Sequence, residues 1–247
     1  MRRVMPLIML ISVLALLLLA AAGCGEENEG TQITMPTLST TPASQATTTT
    51  SSAGPGISDI IGAVLQFADV ASSNPYFKQI ADLAAREIIS GFADGTFRAD
   101  SPVTRQQFAK MIVKTMGYPV SEADVCPFVD VPKGDNILEP FYPDNYVAVC
   151  AARGITEGKT PTEFAPNDNI TRAQLITMVA RAANLAEPPG DYSPPFDEFD
   201  DIHYPLARKA AHAELLTGLQ GMGPGYDFFL PATRGEVAVL LYNLLHS

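Results

Sequence analysis

Ala84-Ala85-Arg86 returns as Ala151-Ala152-Arg153, and the same offset of 67 residues superposes Ile88 on Ile155, Gly91 on Gly158, Phe97 on Phe164 and Thr104-Arg105 on Thr171-Arg172. A gapless match of that length means that the chain is built from copies of one unit. A third copy is more worn. Leu215-Leu216-Thr217-Gly218 stands where Ile88-Ile89-Ser90-Gly91 stood, Phe229 matches Phe97, and Thr233-Arg234 matches Thr104-Arg105. Each copy opens on a short aromatic and acidic signal. It is Phe67-Ala68-Asp69-Val70, then Phe128-Val129-Asp130-Val131, then either Phe196 or the run Phe199-Asp200-Asp201-Ile202. A unit this small cannot bury its apolar face alone, so three of them must close on one another.

The unit reads as two helices. An aromatic-led amphipathic helix is expected over Pro75–Ile89, Tyr146–Arg153 and Tyr204–Leu216, with a glycine ending it where the chain turns. A loop follows, with Asp94-Gly95 as a turn signal in the first copy. The second helix is heavily specified. Thr104, Thr171 and Thr233 stand as N-caps, and Gln107, Gln174 and Glu236 complete capping boxes. Val103 faces Phe108 and Ile170 faces Leu175 as hydrophobic staples, with Ala232 and Val237 a weaker third. The apolar face repeats in register: Phe108, Met111, Ile112; Leu175, Met178, Val179; Val237, Leu240, Leu241, Leu244. The expected fold is mainly all-α: three helical hairpins whose second helices surround a shared core, after a disordered linker.

One choice is awkward and is made three times. Arg105, Arg172 and Arg234 place a cation at the first helical residue, beside the positive end of the helix dipole. Two accounts are open. The arginine adds a fork of donors to an anion site at the helix N-terminus, or it bonds a carbonyl or an Asp of the next unit.

The flanking sequence implies export. Arg2 and Arg3 precede an apolar run from Val4 to Ala22 that ends in small residues, a secretory pattern. Ala21-Ala22-Gly23-Cys24 resembles the bacterial lipoprotein signal, which makes Cys24 the lipidated mature N-terminus; an uncleaved membrane anchor is the other reading. Residues 24–56 are a Thr/Ser/Pro-rich linker with almost no large apolar side chains, too polar to fold. Extended, it reaches on the order of 100 Å. The divisions are then 1–23, signal peptide; 24–56, linker; 57–122, 123–190 and 191–247, the three repeats. Both readings of the leader put the repeats outside the cytoplasmic membrane.

Composition narrows the chemistry. A net charge of −11 argues against nucleic acid, which needs a basic face. Three His make a His-rich metal site unexpected, and Asp94 and Asp100 lack EF-hand spacing, so no metal or cofactor is expected. Asp69, Asp130 and Asp201 recur once per unit, where they can cap the following turn, which reads as structure and not as the paired carboxylates of a glycosidase. No catalytic residue is assigned. Asn169-Ile170-Thr171 is a formal glycosylation sequon, discounted because Thr171 is needed as a cap. Cys126 and Cys150 can form a disulfide in an exported chain, or Cys150 can be a buried thiol.

The units resemble the S-layer homology domain family. The family pattern runs F-x-D-V, a helix ending G-[IVY]-[IV]-x-G, D-G-[TK]-F-x-P, and [IV]-T-R-A-E-[FL]. The chain has Phe67–Val70, Asp94-Gly95-Thr96-Phe97 and Val103–Phe108 in copy one, with Ile155–Gly158 and Ile170–Leu175 in copy two. It departs in having no Trp, and in Gln107 and Gln174 where the family has Glu. The resemblance implies a three-pronged, pseudo-threefold helical domain. It implies non-covalent attachment to an anionic secondary polysaccharide of the bacterial cell wall, often carrying pyruvate ketals. Grooves between prongs would bind it through Arg105, Arg172 and Arg234, with Gly91, Gly158 and Gly218 nearby. The third groove is the least regular. A cell-envelope adaptor that binds protein through the same surface is the rival reading.

Overall fold

The computed structural model describes residues 67–247. The leader, Cys24, the linker and the first ten residues of the first repeat lie outside the described residues.

Among the described residues there are six helices: α1 Phe77–Ala85, α2 Arg105–Thr115, α3 Asp144–Ala152, α4 Arg172–Ala182, α5 Tyr204–His212 and α6 Arg234–Leu245. Among the described residues there is no strand, only three isolated antiparallel bridges. None of these helices is long and apolar enough to cross a membrane. The all-α expectation holds. All three capping boxes form, with Thr104, Thr171 and Thr233 accepting from the N–H of Gln107, Gln174 and Glu236.

The bridges explain how three copies find each other. Val103 N–H donates to Ala232 O at 3.2 Å, Ala232 N–H to Ile170 O at 2.8 Å, and Ile170 N–H to Val103 O at 2.9 Å. This closed ring of three backbone hydrogen bonds lies at the pseudo-threefold axis. Its residues are fully buried, because each is also the staple residue of the helix that follows. Helices α2, α4 and α6 leave the ring and pack on one another. Phe108, Ile112, Leu175, Val179, Val237, Leu240 and Leu241 fill the space between them.

Helix pairing differs from a simple hairpin. Within a repeat the two helices do not pack on each other. Instead α2 packs on α3, α4 on α5, and α6 on α1, so each prong pairs the second helix of one repeat with the first helix of the next. The last prong joins the end of the chain to its first repeat and closes the ring. Long connections within and between repeats let each first helix reach its neighbour's prong.

The first helices of copies one and three are shorter than the apolar periodicity suggests, and that of copy two starts two residues earlier, at Asp144. The three end at Ala85, Ala152 and His212 because Glu87 (φ 57°), Gly154 (φ 67°) and Glu214 (φ 59°) take left-handed backbone. The N–H of Ile88, Ile155 and Leu215 then reaches back to Leu83, Cys150 and Ala210, the six-to-one bond of a Schellman cap. Burial of those three side chains holds the turn. Glycine is therefore used at this stop in one copy of three. Gly91, Gly158 and Gly218 do not end the helix; they come four residues further on.

The role of Gly91 and Gly158 is close approach. A Cβ on Gly91 would stand 2.3 Å from the Phe67 ring, and one on Gly158 2.5 Å from the Phe128 ring. The opening aromatics press on this backbone and on the loop aromatics, with ring centroids 5.2 Å apart for Phe67 and Phe97 and 5.5 Å for Phe128 and Phe164. In the third copy both candidates are used: Phe196 and Phe199 pack on Phe228 at 5.0 and 3.8 Å. Phe228 is buried and Phe229 is 55% exposed, so Phe229 is not the counterpart of Phe97. The altered spacing of the Gly221–Phe229 loop shifts the buried aromatic by one residue.

Candidate functional site

The N-termini of α2, α4 and α6 are not vacant anion sites. Arg105 and Gln106 N–H donate to Asp168 and Pro166 carbonyls; Arg172 and Ala173 N–H to Leu230 and Phe228; Arg234 and Gly235 N–H to Ser101 and Ala99. With the capping threonine taking the third N–H, the groups left free at an ordinary helix start are already paired. The expectation of unpaired N–H donors there is corrected: the extended segment of the next repeat supplies the acceptors.

The arginines reach into that next repeat. Arg105 Nε donates to Phe164 O at 2.7 Å and Nη1 to Gln174 Oε1 at 3.2 Å. Arg234 Nε donates to Phe97 O at 2.6 Å and Nη2 to Ser90 O at 2.7 Å. Arg172 Nη1 donates to Asp227 O at 3.1 Å, and Nη2 pairs with Glu236 Oε1 at 2.7 Å. Each guanidinium lies over an aromatic ring: Phe164 at 4.6 Å, Phe97 at 4.2 Å and Tyr226 at 4.6 Å. A cation at the first helical position is tolerated because its charge is carried into a nest of carbonyl oxygens. Burial lowers the pKa of Arg105 and Arg234, Asp168 and Asp130 opposing it at Arg105 and Asp69 at Arg234. At Arg172 burial is outweighed by the Glu236 carboxylate, and the net shift is upward.

Two of the three arginines border open grooves that match under the repeat offset. The first, about 250 Å³, lies between the Ser90–Phe92 loop, Lys110 and Met111 of α2, Arg234, and Glu139 and Tyr142 ahead of α3. The second, about 500 Å³, lies between Gly158 and Lys159, Gln174, Thr177 and Arg181 of α4, Arg105, and His203 ahead of α5. Each groove draws on all three repeats. Arg234 with Gly91, and Arg105 with Gly158, are brought together as pairs. In the second groove Arg105, Lys159 and Arg181 lie together; Glu157, largely exposed, pairs with Arg181 at 3.0 Å, and Asp168 pairs with Lys159. In the first, Lys110 pairs with Glu139 at 2.5 Å.

The third equivalent position carries its own anion. Glu236 stands where the other repeats have Gln107 and Gln174, is 3% exposed, and neutralises Arg172. Tyr226 closes over the pair, its hydroxyl donating to Glu236 Oε1 at 3.3 Å. Tyr76 lies against Gly235, so tightly that a Cβ there would be 2.3 Å from its ring. Gly218 stands beside Val239 of α6.

The recurring aspartates clamp distant loops, and local turns are not their main targets. Asp69 accepts from Phe97 and Arg98 N–H at 2.7 and 2.6 Å, and Asp130 from Phe164 and Ala165 N–H at 2.8 and 2.7 Å. Arg98 and Ala165 have left-handed backbone (φ 60° and 56°), which the clamp stabilises. Asp201 does not join this pattern; Asp200 accepts from Ile202 and His203 N–H. Burial pushes the Asp69 and Asp130 carboxyls up, but the backbone N–H donors outweigh it and hold both below the ordinary 3.8. A depressed folded pKa stabilises above the unfolded value and is lost as pH falls through the folded one. Stability is thus expected to drop below about pH 4, and Asp69→Asn/Asp130→Asn should be weaker at neutral pH by about 1 kcal/mol per site after solvent screening. Its acid-induced drop should be smaller than wild type. Denaturant midpoints at both pH values check this, and an equal acid drop in the two proteins would count against the clamp.

Cys126 and Cys150 are both free thiols, not a disulfide. Cys150 is fully buried with Sγ 3.6 Å from Ala109 O of α2, so its thiol faces the prong partner, and burial raises its pKa. Lys110, Lys159, Arg181 and His203 are groove residues not singled out from sequence. The offset that pairs Lys114 with Arg181 was a usable signal. Glu139, Tyr142 and His203 come from connections of unequal length, where no register could be read.

The S-layer homology domain model matches residues 66–109 and 138–176. An endoglucanase of Bacillus sp. (strain KSM-635) is 36% identical over 121 residues, 49% of this chain and 12% of that protein. A cell surface protein of Thermoanaerobacter kivui is 26% identical over 187 residues, 74% of this chain and 22% of its own. The S-layer protein EA1 of Bacillus anthracis is 27% identical over 131 residues, 53% of this chain and 14% of its own. The chain thus spans about a quarter or less of the length of these relatives.

Proposed function

We propose that this chain is a non-catalytic cell-envelope protein that holds an anionic secondary polysaccharide of the wall in two grooves, with lipid at Cys24 tying it to the membrane. The observation that carries the reading is the pair of equivalent grooves, each bringing a buried Arg and a flanking Lys or Arg to a glycine-bearing loop. Cationic side chains around a tight backbone fit a sugar bearing a carboxylate, such as a pyruvate ketal. The negative net charge does not oppose this, since fields from distant carboxylates are screened beyond about 8–10 Å. Relatives called cell surface and S-layer proteins support a location outside the cytoplasmic membrane. The endoglucanase shares a stretch that is 12% of its length, so its activity is not carried over. The three-repeat division at 57–122, 123–190 and 191–247 accords with the ring at the axis. The third position does not join in binding, because Glu236 already occupies its arginine.

The full-length chain should be retained by wall sacculi and released when the secondary polymer is extracted from them. Lys110→Gln/Arg181→Gln removes a flanking cation from each groove without touching the buried bridges. It should bind on the order of tenfold more weakly, with a shallower salt dependence. Retention unaffected by polymer extraction would instead favour a protein-binding adaptor. For the anchor, Cys24→Ser should abolish incorporation of a labelled fatty acid; equal label on wild type and variant would reject lipidation.

A further inference from the structure

The pseudo-threefold axis allows one position to be compared across the grooves. Six residues past the capping threonine stand Lys110, Thr177 and Val239. Lys110 faces Glu139 and is a permanent cation. Val239 faces the backbone of Gly218, at 3.7 Å from where a Cβ would be, and is apolar. Thr177 faces His203, with Oγ1 2.8 Å from the imidazole Nδ1. The same site is thus permanently charged in one repeat, uncharged in another, and titratable in the third. Resting on the reading of these grooves as anion sites, we propose that His203 is the switchable cation of the second groove, so that this groove holds its anionic sugar more tightly in acid than at neutral pH.

The surroundings fit a residue that is neutral when the groove is empty. Arg181 of α4, Arg105 of α2 and Lys159 from the loop after α3 line the same groove, with Glu157 paired to Arg181 and Asp168 paired to Lys159. Asp200, on the histidine's own segment, accepts its backbone N–H. Burial draws the His203 pKa below its usual 6.5, Arg181 adds to this, and Asp200 opposes it. The Thr177 hydroxyl can donate to a neutral Nδ1 or accept from a protonated one, so the contact survives both states. An anion in the groove reverses the local balance and favours the imidazolium. Binding then takes up a proton, and each unit by which the bound anion raises the pKa is worth about tenfold in affinity between the two pH regimes.

The test uses the full-length chain on polymer-bearing sacculi, across the histidine range from about pH 7.5 to about pH 5.5. Wild type should gain on the order of threefold to tenfold in affinity on acidification. His203→Gln should lose most of that gain, while Lys110→Gln, a change in the other groove, should keep it. A second readout follows the His203 ring by NMR with a pyruvate-ketal methyl glycoside, which should move its titration upward. An unchanged acid gain in His203→Gln, or a ring titration indifferent to the ketal, would overturn the proposal. Retention that is strong but flat with pH would overturn it while leaving the polymer reading standing. Absence of retention at every pH would instead defeat the polymer reading, and the ring titration against the small ketal would still decide His203.

Discussion

Arg172→Gln is expected to destabilise the domain by about 3 kcal/mol. By helix-dipole arithmetic alone the substitution should be neutral or helpful, since it removes a cation from the positive end of α4. The structure reverses the sign. Glu236 has a side chain only 4% exposed, and Arg172 is its ion-pair partner at 2.7 Å. Removing the guanidinium leaves a buried carboxylate without its cation, under a tyrosine ring and away from water. The companion Glu236→Gln removes the charge that would be stranded. The double variant Arg172→Gln/Glu236→Gln should therefore recover most of the loss, because it copies the Gln found in the other two repeats. A double-mutant cycle by denaturant titration reads the coupling directly. Additive single losses with no recovery would mean that the pair is not what holds this position shut.

Gly158→Ala is the second large effect, and its contrast with Gly218→Ala is the sharper test. Gly158 has φ 79°, and its added Cβ would meet Phe128 Cε1 at 2.5 Å and the Thr160 and Glu163 carbonyl oxygens at 2.6 and 2.7 Å. Two of those atoms are backbone and cannot step aside. Left-handed strain of about 1–2 kcal/mol adds to about 1–3 kcal/mol of overpacking, for a loss of about 3 kcal/mol or more. Gly218 has φ 90° but meets only Val239 Cγ1, at 3.7 Å. Its alanine variant should carry the strain alone, about 1–2 kcal/mol. Equal midpoints for the two variants would refute the idea that the opening phenylalanine presses on this glycine. The consequence reaches function, because the same loop forms a wall of the second groove.

Much of this protein was legible in its residues. The offset of 67, the capping threonines, the staples and the apolar stripe of each second helix are local or periodic, and local rules act the same way in every copy. They determined six helices among the described residues, the starts of the three second helices, and the shared core of α2, α4 and α6. Three things came only from tertiary structure. Helix partners were exchanged between repeats, because a period in sequence says which units are alike and not which of them touch. First-helix ends were set by Schellman caps with Glu87 and Glu214 in left-handed backbone, where burial of Ile88 and Leu215 outweighed the preference for glycine. The fate of the three arginines was the largest matter left open. One residue type at one helical position became a groove wall at Arg105 and Arg234, and half of a closed ion pair at Arg172. The difference lies in what the next repeat brings to it, a neutral Gln174 against Arg105 and a charged Glu236 against Arg172. That meeting depends on contacts some 60 to 70 residues apart in sequence, which only folding around the axis brings within hydrogen-bonding distance.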